Sequence, residues 1–173
     1  MKSWPIGNFE QLAHELAERT KTPIVFAGAA DARRPKDEFT RWREGDFVDL
    51  TGRTGIEDFL RLIAAARLIV TNDSGGMHLG MALGRPVVAV AGGGLPQRYH
   101  PYPADAGAIQ LRVVENRLPC YGCNWRCIYP VAAGAAAYCI ESTTVEQVLD
   151  AVLDMECGTP GSRQRHPSLV ERA

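Results

Sequence analysis

Apolar residues recur along this chain at two spacings, one typical of helices and the other of buried strands. The apolar positions between residues 9 and 16 predict a first helix that runs to Thr20, with Asn8 and Gln11 as its capping box. Short apolar runs predict strands over 24–28, 47–50, 68–71 and 87–91, and a weaker one over 109–113. The run at 87–91 is apolar almost throughout, as in parallel strands that are buried on both faces.

Further helices are predicted between these strands. The polar stretch 35–43 and the segment from Gly75 to Leu83 both favour helices. Thr54 and Glu57 predict a capped helix to about Ala66, and Thr143 and Glu146 predict a capped final helix to about Leu153. Strands alternating with capped helices predict a doubly wound α/β domain with a parallel sheet, in which ligands bind beyond the carboxyl ends of the strands.

Composition limits the domain count and the partners. The 173 residues, 46% of them hydrophobic, suit one domain over 1–156 that includes a cysteine-rich loop over 117–140. Residues 157–173 are rich in Gly, Pro, Ser and Arg without periodicity, which predicts a disordered tail.

Charge and hydropathy limit the partners and the location. A formal net charge of -1 gives no electrostatic field that would attract nucleic acid, and it allows at most a peripheral membrane association. Without a signal peptide or a run of about 20 apolar residues, a cytoplasmic location is expected.

The segment from Thr71 to His78 carries the chemistry. It lies where a predicted buried strand turns into a helix, and Gly75 and Gly76 would let a ligand approach the backbone. The free amides of a first helical turn and the helix dipole favour a phosphate group. Alternatively, Asp73 or Ser74 only caps the helix and the glycines only permit a tight turn.

A longer ordered set of motifs resembles the carboxy-terminal domain of the bacterial heptosyltransferases of glycosyltransferase family nine. The set comprises Lys-Ser-Trp-Pro at 2–5, Asp-Leu-Thr-Gly at 49–52, the segment 71–78, and Ala-Leu-Gly-Arg-Pro-Val-Val at 82–88. The resemblance covers roughly Lys2 to Leu153 and is most specific from Asp49 to Val90. It implies the carboxy-terminal half of a GT-B glycosyltransferase, which binds a nucleotide-activated sugar, usually ADP-heptose, for transfer to a lipopolysaccharide core or a protein.

The resemblance also implies roles for individual residues. Lys2 would pair with the donor diphosphate, and Asp73, Ser74, Gly75 and Gly76 would bind its oxygens without a catalytic metal. His78 is counted with this donor-binding set, although a histidine there could also simply bond a neighbouring carbonyl.

Asp31 would contact the ribose, although a surface Asp that begins a helix explains it equally well. The catalytic base of the family belongs to the amino-terminal domain and has no match here, so the chain is expected to need an acceptor domain or a split partner chain.

Four cysteines lie within twenty residues. Their thiolates could close a tetrahedral site for structural zinc or iron, and similar autotransporter heptosyltransferases bind iron with four cysteines. The alternative is four free thiols under a loop packed by Tyr121, Trp125 and Tyr129. The candidate metal ligands are Cys120, Cys123, Cys127 and Cys139.

The family pattern begins with a strand ahead of Lys-x-Trp-Pro, and this chain begins at Met1. We therefore expect the first strand to be absent and a gap between the strands at Ile24 and Leu68. Exposed edges would favour marginal stability or homo-oligomers. A non-catalytic, metal-pinned interaction module is the alternative function. A dinucleotide-dependent oxidoreductase is disfavoured, because the glycine run 92–94 is not a G-x-G-x-x-G motif.

Overall fold

The computed structural model describes residues 2–29, 47–96 and 110–156, in which helices alternate with short strands. The described elements are α1 (Ile6–Thr20), β1 (Ile24–Phe26), β2 (Phe47–Asp49), α2 (Ile56–Ala65), β3 (Ile69–Asn72), α3 (Gly75–Ala82), β4 (Val87–Val90), β5 (Leu111–Val114), α4 (Tyr138–Glu141) and α5 (Val145–Glu156). The predicted helix at 35–43, the tail 157–173 and Asp31 lie outside the described residues. None of the described helices is long and apolar enough to cross a membrane.

The described strands pair in parallel, in two sheets. One sheet is β1–β2, with Ile24 opposite Phe47, and the other is β3–β4–β5, with Val87 between Ile69 and Leu111. The predicted α/β class with parallel strands is confirmed. Since β1 and β3 belong to different sheets, they share no strand pairing, but a missing first strand between them stays a prediction.

Strand β4 is the centre of the domain, and helices cover both of its faces. Val88 and Val90 face a cluster built largely by α1 and α5, while Val87 and Ala89 pack against the methionines of α3. All four residues of β4 are fully buried, as its apolar run predicted. Burying one such valine side chain stabilises a fold by about 1.5–3 kcal/mol. The burial of β4 therefore fixes the position of the backbone that follows its carboxyl end.

The first two predicted capping boxes are wrong. Helix α1 begins at Ile6, so Asn8 lies inside it, and Pro5 occupies the N-cap position without a side-chain hydrogen bond. The carbonyl of Pro5 accepts the amide of Asn8 at 3.0 Å, and the helix begins three residues earlier than predicted. Helix α2 begins after Gly55 and has no side-chain cap, so Thr54 does not cap it.

The final helix is capped one residue later than predicted. Thr144 Oγ1 accepts the amide of Gln147 at 3.2 Å, and Gln147 Oε1 accepts the amide of Thr144 at 2.8 Å. The predicted pair, Thr143 and Glu146, does not form the box because Thr143 is buried and bonds the carbonyl of Cys139. The short helix α4, which begins inside the predicted loop 117–140 and ends at Glu141, was not predicted.

Candidate phosphate-binding site

The turn from β3 into α3 has a polar, accessible backbone at the carboxyl end of the sheet. The amide of Asp73 donates to the carbonyl of Val90 at 3.0 Å, which ties the turn to the end of β4. Ser74 is the N-cap residue, but its side chain makes no capping hydrogen bond and lies 3.3 Å from Thr71 Oγ1. Ser74 therefore gives α3 no side-chain cap, while a role of Asp73 and Ser74 in binding a ligand stays a prediction.

The two glycines of this turn differ in what surrounds them. A Cβ atom on Gly75 would meet nothing within 4 Å, whereas one on Gly76 would lie 3.0 Å from Thr71 Oγ1. Gly75 is exposed. Within the described part of the chain, the amides of Gly75 and Gly76 have no hydrogen-bond acceptor. Two free amides and the positive end of the helix dipole make this turn suited to an anion.

Trp4 holds the amino-terminal segment against the same turn. Its backbone amide donates to Oδ1 of Asn72 at 2.8 Å, and its indole Nε1 donates to the carbonyl of Thr143 at 2.8 Å. Its ring packs edge-on against Phe9 and is 2% exposed. Lys2 lies two residues before this anchor and is exposed.

The cysteine-rich loop is packed onto the glycine run that follows β4. A Cβ atom on Gly94 would lie 2.5 Å from the indole ring of Trp125, and one on Gly93 would lie 2.8 Å from the ring of Tyr121. The amides of Gly122 and Asn124 donate to the carbonyls of Gly93 and Gly94 at 2.7 and 2.8 Å. The aromatic rings therefore pack directly on the backbone of these glycines, a role that the sequence analysis did not predict.

The signal that could have identified this contact was present in the sequence. Three glycines after a wholly buried strand leave a strip of bare backbone, and Tyr121 and Trp125 are large rings without a predicted partner. Of the three aromatics expected to supply packing contacts for the loop, Tyr121 and Trp125 lie on these glycines, and Tyr129 packs against Tyr138 with ring centroids 5.2 Å apart. What the sequence did not indicate is that Trp125 also lies under Lys2, whose Nζ is 4.7 Å from the ring centroid.

The four cysteines of the loop line one small cavity, and none forms a disulfide. Burial raises the pKa of the Cys120 and Cys127 thiols, and the nearby Cys123 and Cys139 raise it further. No group of three or more His, Cys, Asp or Glu side chains within 2–29, 47–96 and 110–156 is placed to hold a metal ion. The four thiols share this cavity but are not arranged there as a set of ligands, so the predicted zinc or iron stays a prediction.

A half-buried acidic group follows β5 at the same end of the sheet. Glu115 Oε1 accepts hydrogen bonds from the Tyr121 hydroxyl at 2.7 Å and from Arg117 Nε at 3.1 Å. Burial, followed by this hydrogen bond to Glu115, raises the pKa of Tyr121 to about 12. The bond links the end of β5 to the first residues of the cysteine-rich loop.

The structure brings most of the predicted donor-binding residues together. The four residues 73–76 share one turn, and the Trp4 anchor brings the Lys2 segment next to it. His78 follows in the first turns of α3, is half-buried, and has an interaction partner in the protein. Asp31 lies outside the described residues, so its predicted contact with a ribose stays a prediction.

Parallel strands with helices on both faces define an α/β domain, with open amides at a strand-to-helix turn. The chain belongs to glycosyltransferase family 9 (heptosyltransferase), whose sequence pattern matches residues 1–125. The match includes Lys2, the turn 73–76 and the first part of the cysteine-rich loop as far as Trp125.

Relatives and solved structures agree with this membership. The chain is 34% identical to lipopolysaccharide heptosyltransferase 2 of Salmonella typhimurium over 64% of its length, and 34% identical to lipooligosaccharide heptosyltransferase 2 of Haemophilus influenzae over 68%. These matches span 32% and 34% of the two relatives.

Two solved structures are similar over most of the chain. The E. coli ADP-heptose lps heptosyltransferase II has a TM-score of 0.60 and 25% identity over 89% of this chain and 42% of its own. The family 9 glycosyl transferase of Veillonella parvula has a TM-score of 0.62 and 25% identity over 91% of this chain and 43% of its own. The chain therefore spans less than half the length of the proteins it resembles.

Proposed function

We propose that this chain is the donor-binding part of a GT-B heptosyltransferase and that its donor is ADP-heptose. The observation that carries the proposal is the open turn at 73–76, where the amides of Gly75 and Gly76 have no acceptor among the described residues. Lys2 supplies the positive charge, two residues before the bond between Trp4 and Asn72. Family membership and the names of the relatives make a sugar diphosphate the ligand that best suits this turn.

In the proposed reaction, an acceptor hydroxyl attacks the anomeric carbon of the donor sugar. The bond from that carbon to the phosphate oxygen breaks, the new glycosidic bond forms, and the nucleoside diphosphate leaves with the electron pair. Negative charge grows on the diphosphate as the bond breaks, so fixed amides and a lysine interact with it more strongly then than before. The proton of the hydroxyl passes to a base on the acceptor domain, outside this chain.

Two relatives, from Salmonella and E. coli, are named lipopolysaccharide heptosyltransferases, which favours a lipopolysaccharide core as the acceptor over a protein. The acceptor domain or split partner chain needed for transfer, and the cytoplasmic location, are parts of the same proposal.

Calorimetry with ADP-heptose, ADP and UDP tests the donor assignment. We expect the adenine nucleotides to bind and Lys2→Ala to weaken both, because a hydrogen bond to a charged group contributes about 1.5–3 kcal/mol. The control is Arg61→Ala, which removes an exposed cation of α2 that pairs with Asp58. Equal, weak binding of all three ligands, unchanged by Lys2→Ala, would reject the proposal.

The alternative function is a non-catalytic interaction or oligomerisation module. It is favoured by exposed apolar side chains on the cysteine-rich loop, where Ile128 is 69% exposed and Tyr138 is 49% exposed. Light scattering measures assembly and calorimetry measures nucleotide affinity, and together they separate the two functions. Assembly without any nucleotide affinity would favour the module, and a monomer that binds ADP would favour the transferase.

We also propose a structural zinc or iron ion on Cys120, Cys123, Cys127 and Cys139. The support is that all four thiols line the same cavity. Four protein ligands leave no open position, so such an ion would stabilise the loop and take no part in the transfer. Elemental analysis of the purified protein and of a Cys123→Ser variant tests this. A metal content near zero in both would exclude the ion.

A further inference from the structure

Trp125 is the residue that connects the cysteine-rich loop to the proposed donor site. The Nζ atom of Lys2 lies 4.7 Å from the centroid of its indole ring, which is within the range of a cation–π interaction. Lys2 is exposed and lies two residues before Trp4, whose amide and indole hydrogen bonds hold this segment. The ring therefore restricts a long side chain that would otherwise sample many rotamers.

The surrounding backbone is shaped to hold that ring in place. Only residues without a Cβ fit beneath it, because a Cβ on Gly92 would lie 2.8 Å from the indole and one on Gly94 would lie 2.5 Å from it. The amide of Asn124 donates to the carbonyl of Gly94 at 2.8 Å and fixes the loop over the glycines. The ring is thus attached to the carboxyl end of β4, the most buried strand of the domain.

The loop adopts an unfavourable backbone conformation at this point. Asn124 and Trp125 have φ angles of 51° and 60°, in the left-handed region. Asn enters that region readily, but a bulky residue such as Trp rarely does. A strained backbone persists only where the surrounding structure holds it, and such strain is concentrated at functional sites.

We propose that Trp125 is a positioning residue that holds the ammonium group of Lys2 at the edge of the turn 73–76, ready for the β-phosphate of the donor. This inference rests on the proposed donor site and extends it to a residue at the far end of the matched family region. The cysteine-rich loop then has a part in donor binding, exerted through Lys2 and without its own contact to the nucleotide.

A double-mutant cycle on Lys2 and Trp125, read by the binding of ADP and AMP, tests this proposal. Trp125→Leu keeps an apolar side chain and removes the π system. We expect it to weaken ADP binding about 2- to 5-fold, the range of an exposed cation–π contact, and to leave AMP binding unchanged because AMP lacks the second phosphate. In the Lys2→Met background, Trp125→Leu should have no further effect on ADP.

Other outcomes separate the proposed donor site from the positioning role of Trp125, and they show whether a substitution has only disturbed the folding of the cysteine-rich loop. Trp125→Phe, which keeps an aromatic ring, should restore most of the ADP affinity. Equal losses for ADP and AMP, or the same loss with Lys2→Met already present, would mean that Trp125 acts only through loop folding and would overturn the inference. If the unsubstituted protein binds neither nucleotide, the donor site and the inference both fail. If it binds ADP but the cycle shows no coupling, only the inference fails.

Discussion

The backbone amide of Trp4 donates a 2.8 Å hydrogen bond to Oδ1 of Asn72, a residue 68 positions further along the chain. This bond joins two of the separate motifs that carry the resemblance to the family. Trp4 is buried beneath α1 and α5, and Asn72 ends β3 immediately before the turn 73–76. The bond therefore brings the segment that contains Lys2 to the end of β3, next to the turn.

Asn72→Ala removes the acceptor of the Trp4 amide. We expect the free energy of unfolding to fall by about 1 kcal/mol, or more if the amide is left buried and unpaired. ADP affinity should fall as well, because Lys2 loses its anchor. Urea unfolding and calorimetry measure the two effects. Asn72→Asp is the matched control, since it keeps an oxygen acceptor of the same size, and a loss of stability as large as that of Asn72→Ala would contradict the role of this bond.

Gly75→Ala separates ligand access from folding. The added Cβ meets nothing within 4 Å, so stability should be unchanged or slightly higher. ADP binding should weaken about 10- to 100-fold if the methyl group prevents one hydrogen bond to a charged phosphate. Gly7→Ala is the control, because Gly7 also lies in open space near the start of a helix. Full ADP affinity in Gly75→Ala would show that no ligand approaches this amide closely.

Gly94→Ala is expected to displace the ring of Trp125. Because the Cβ would lie 2.5 Å from the indole, the variant should lose about 1–3 kcal/mol of stability through overpacking and shift the tryptophan fluorescence. In the double variant Gly94→Ala/Trp125→Ala the clash is absent. The losses in free energy of unfolding of the two single variants should therefore not add up in the double variant. Strict additivity in urea unfolding would argue against contact between Gly94 and the Trp125 ring.

The observed cap of α5 uses Thr144 and Gln147, whereas the sequence pattern predicted the neighbouring pair Thr143 and Glu146. Thr144→Ala breaks the observed capping box with Gln147 and should cost about 1 kcal/mol of stability. Glu146→Ala, at the position that the sequence pattern favoured, should cost little because Glu146 is exposed and is not part of the box. Thermal melting of the two variants compares them directly, and the reverse order of stabilities would contradict the observed cap.

Tyr121 makes a testable contribution to the pH dependence of stability. Its pKa is raised from an ordinary value near 10 to about 12, so the folded state holds the phenol proton more tightly than the unfolded state does. The resulting stabilisation is complete below about pH 10 and is lost as the pH rises toward 12. Urea unfolding across this range should show a smaller loss for Tyr121→Phe, and identical slopes for both proteins would exclude the contribution.

The sequence alone determined the elements whose pattern is strong. The apolar run at 87–91 identified β4, and the helical spacing before Thr20 identified α1, because burial of apolar side chains dominates both. The position of the turn 73–76 between a strand and a helix also followed from local sequence, since an apolar run, two polar residues and two glycines follow one another there. The caps of the helices were placed less well, because any Ser or Thr near a helix start satisfies the pattern and burial decides which one is free to bond.

Only the tertiary structure decided which distant residues meet. The bond from Trp4 to Asn72, the rings of Tyr121 and Trp125 on the glycines 92–94, and the position of Lys2 over Trp125 all join segments far apart in the chain. A local pattern cannot specify such contacts, because they depend on how strands and helices pack in space. The physical reason is that burial and steric fit act between neighbours in three dimensions, whereas periodicity and capping act between neighbours in sequence.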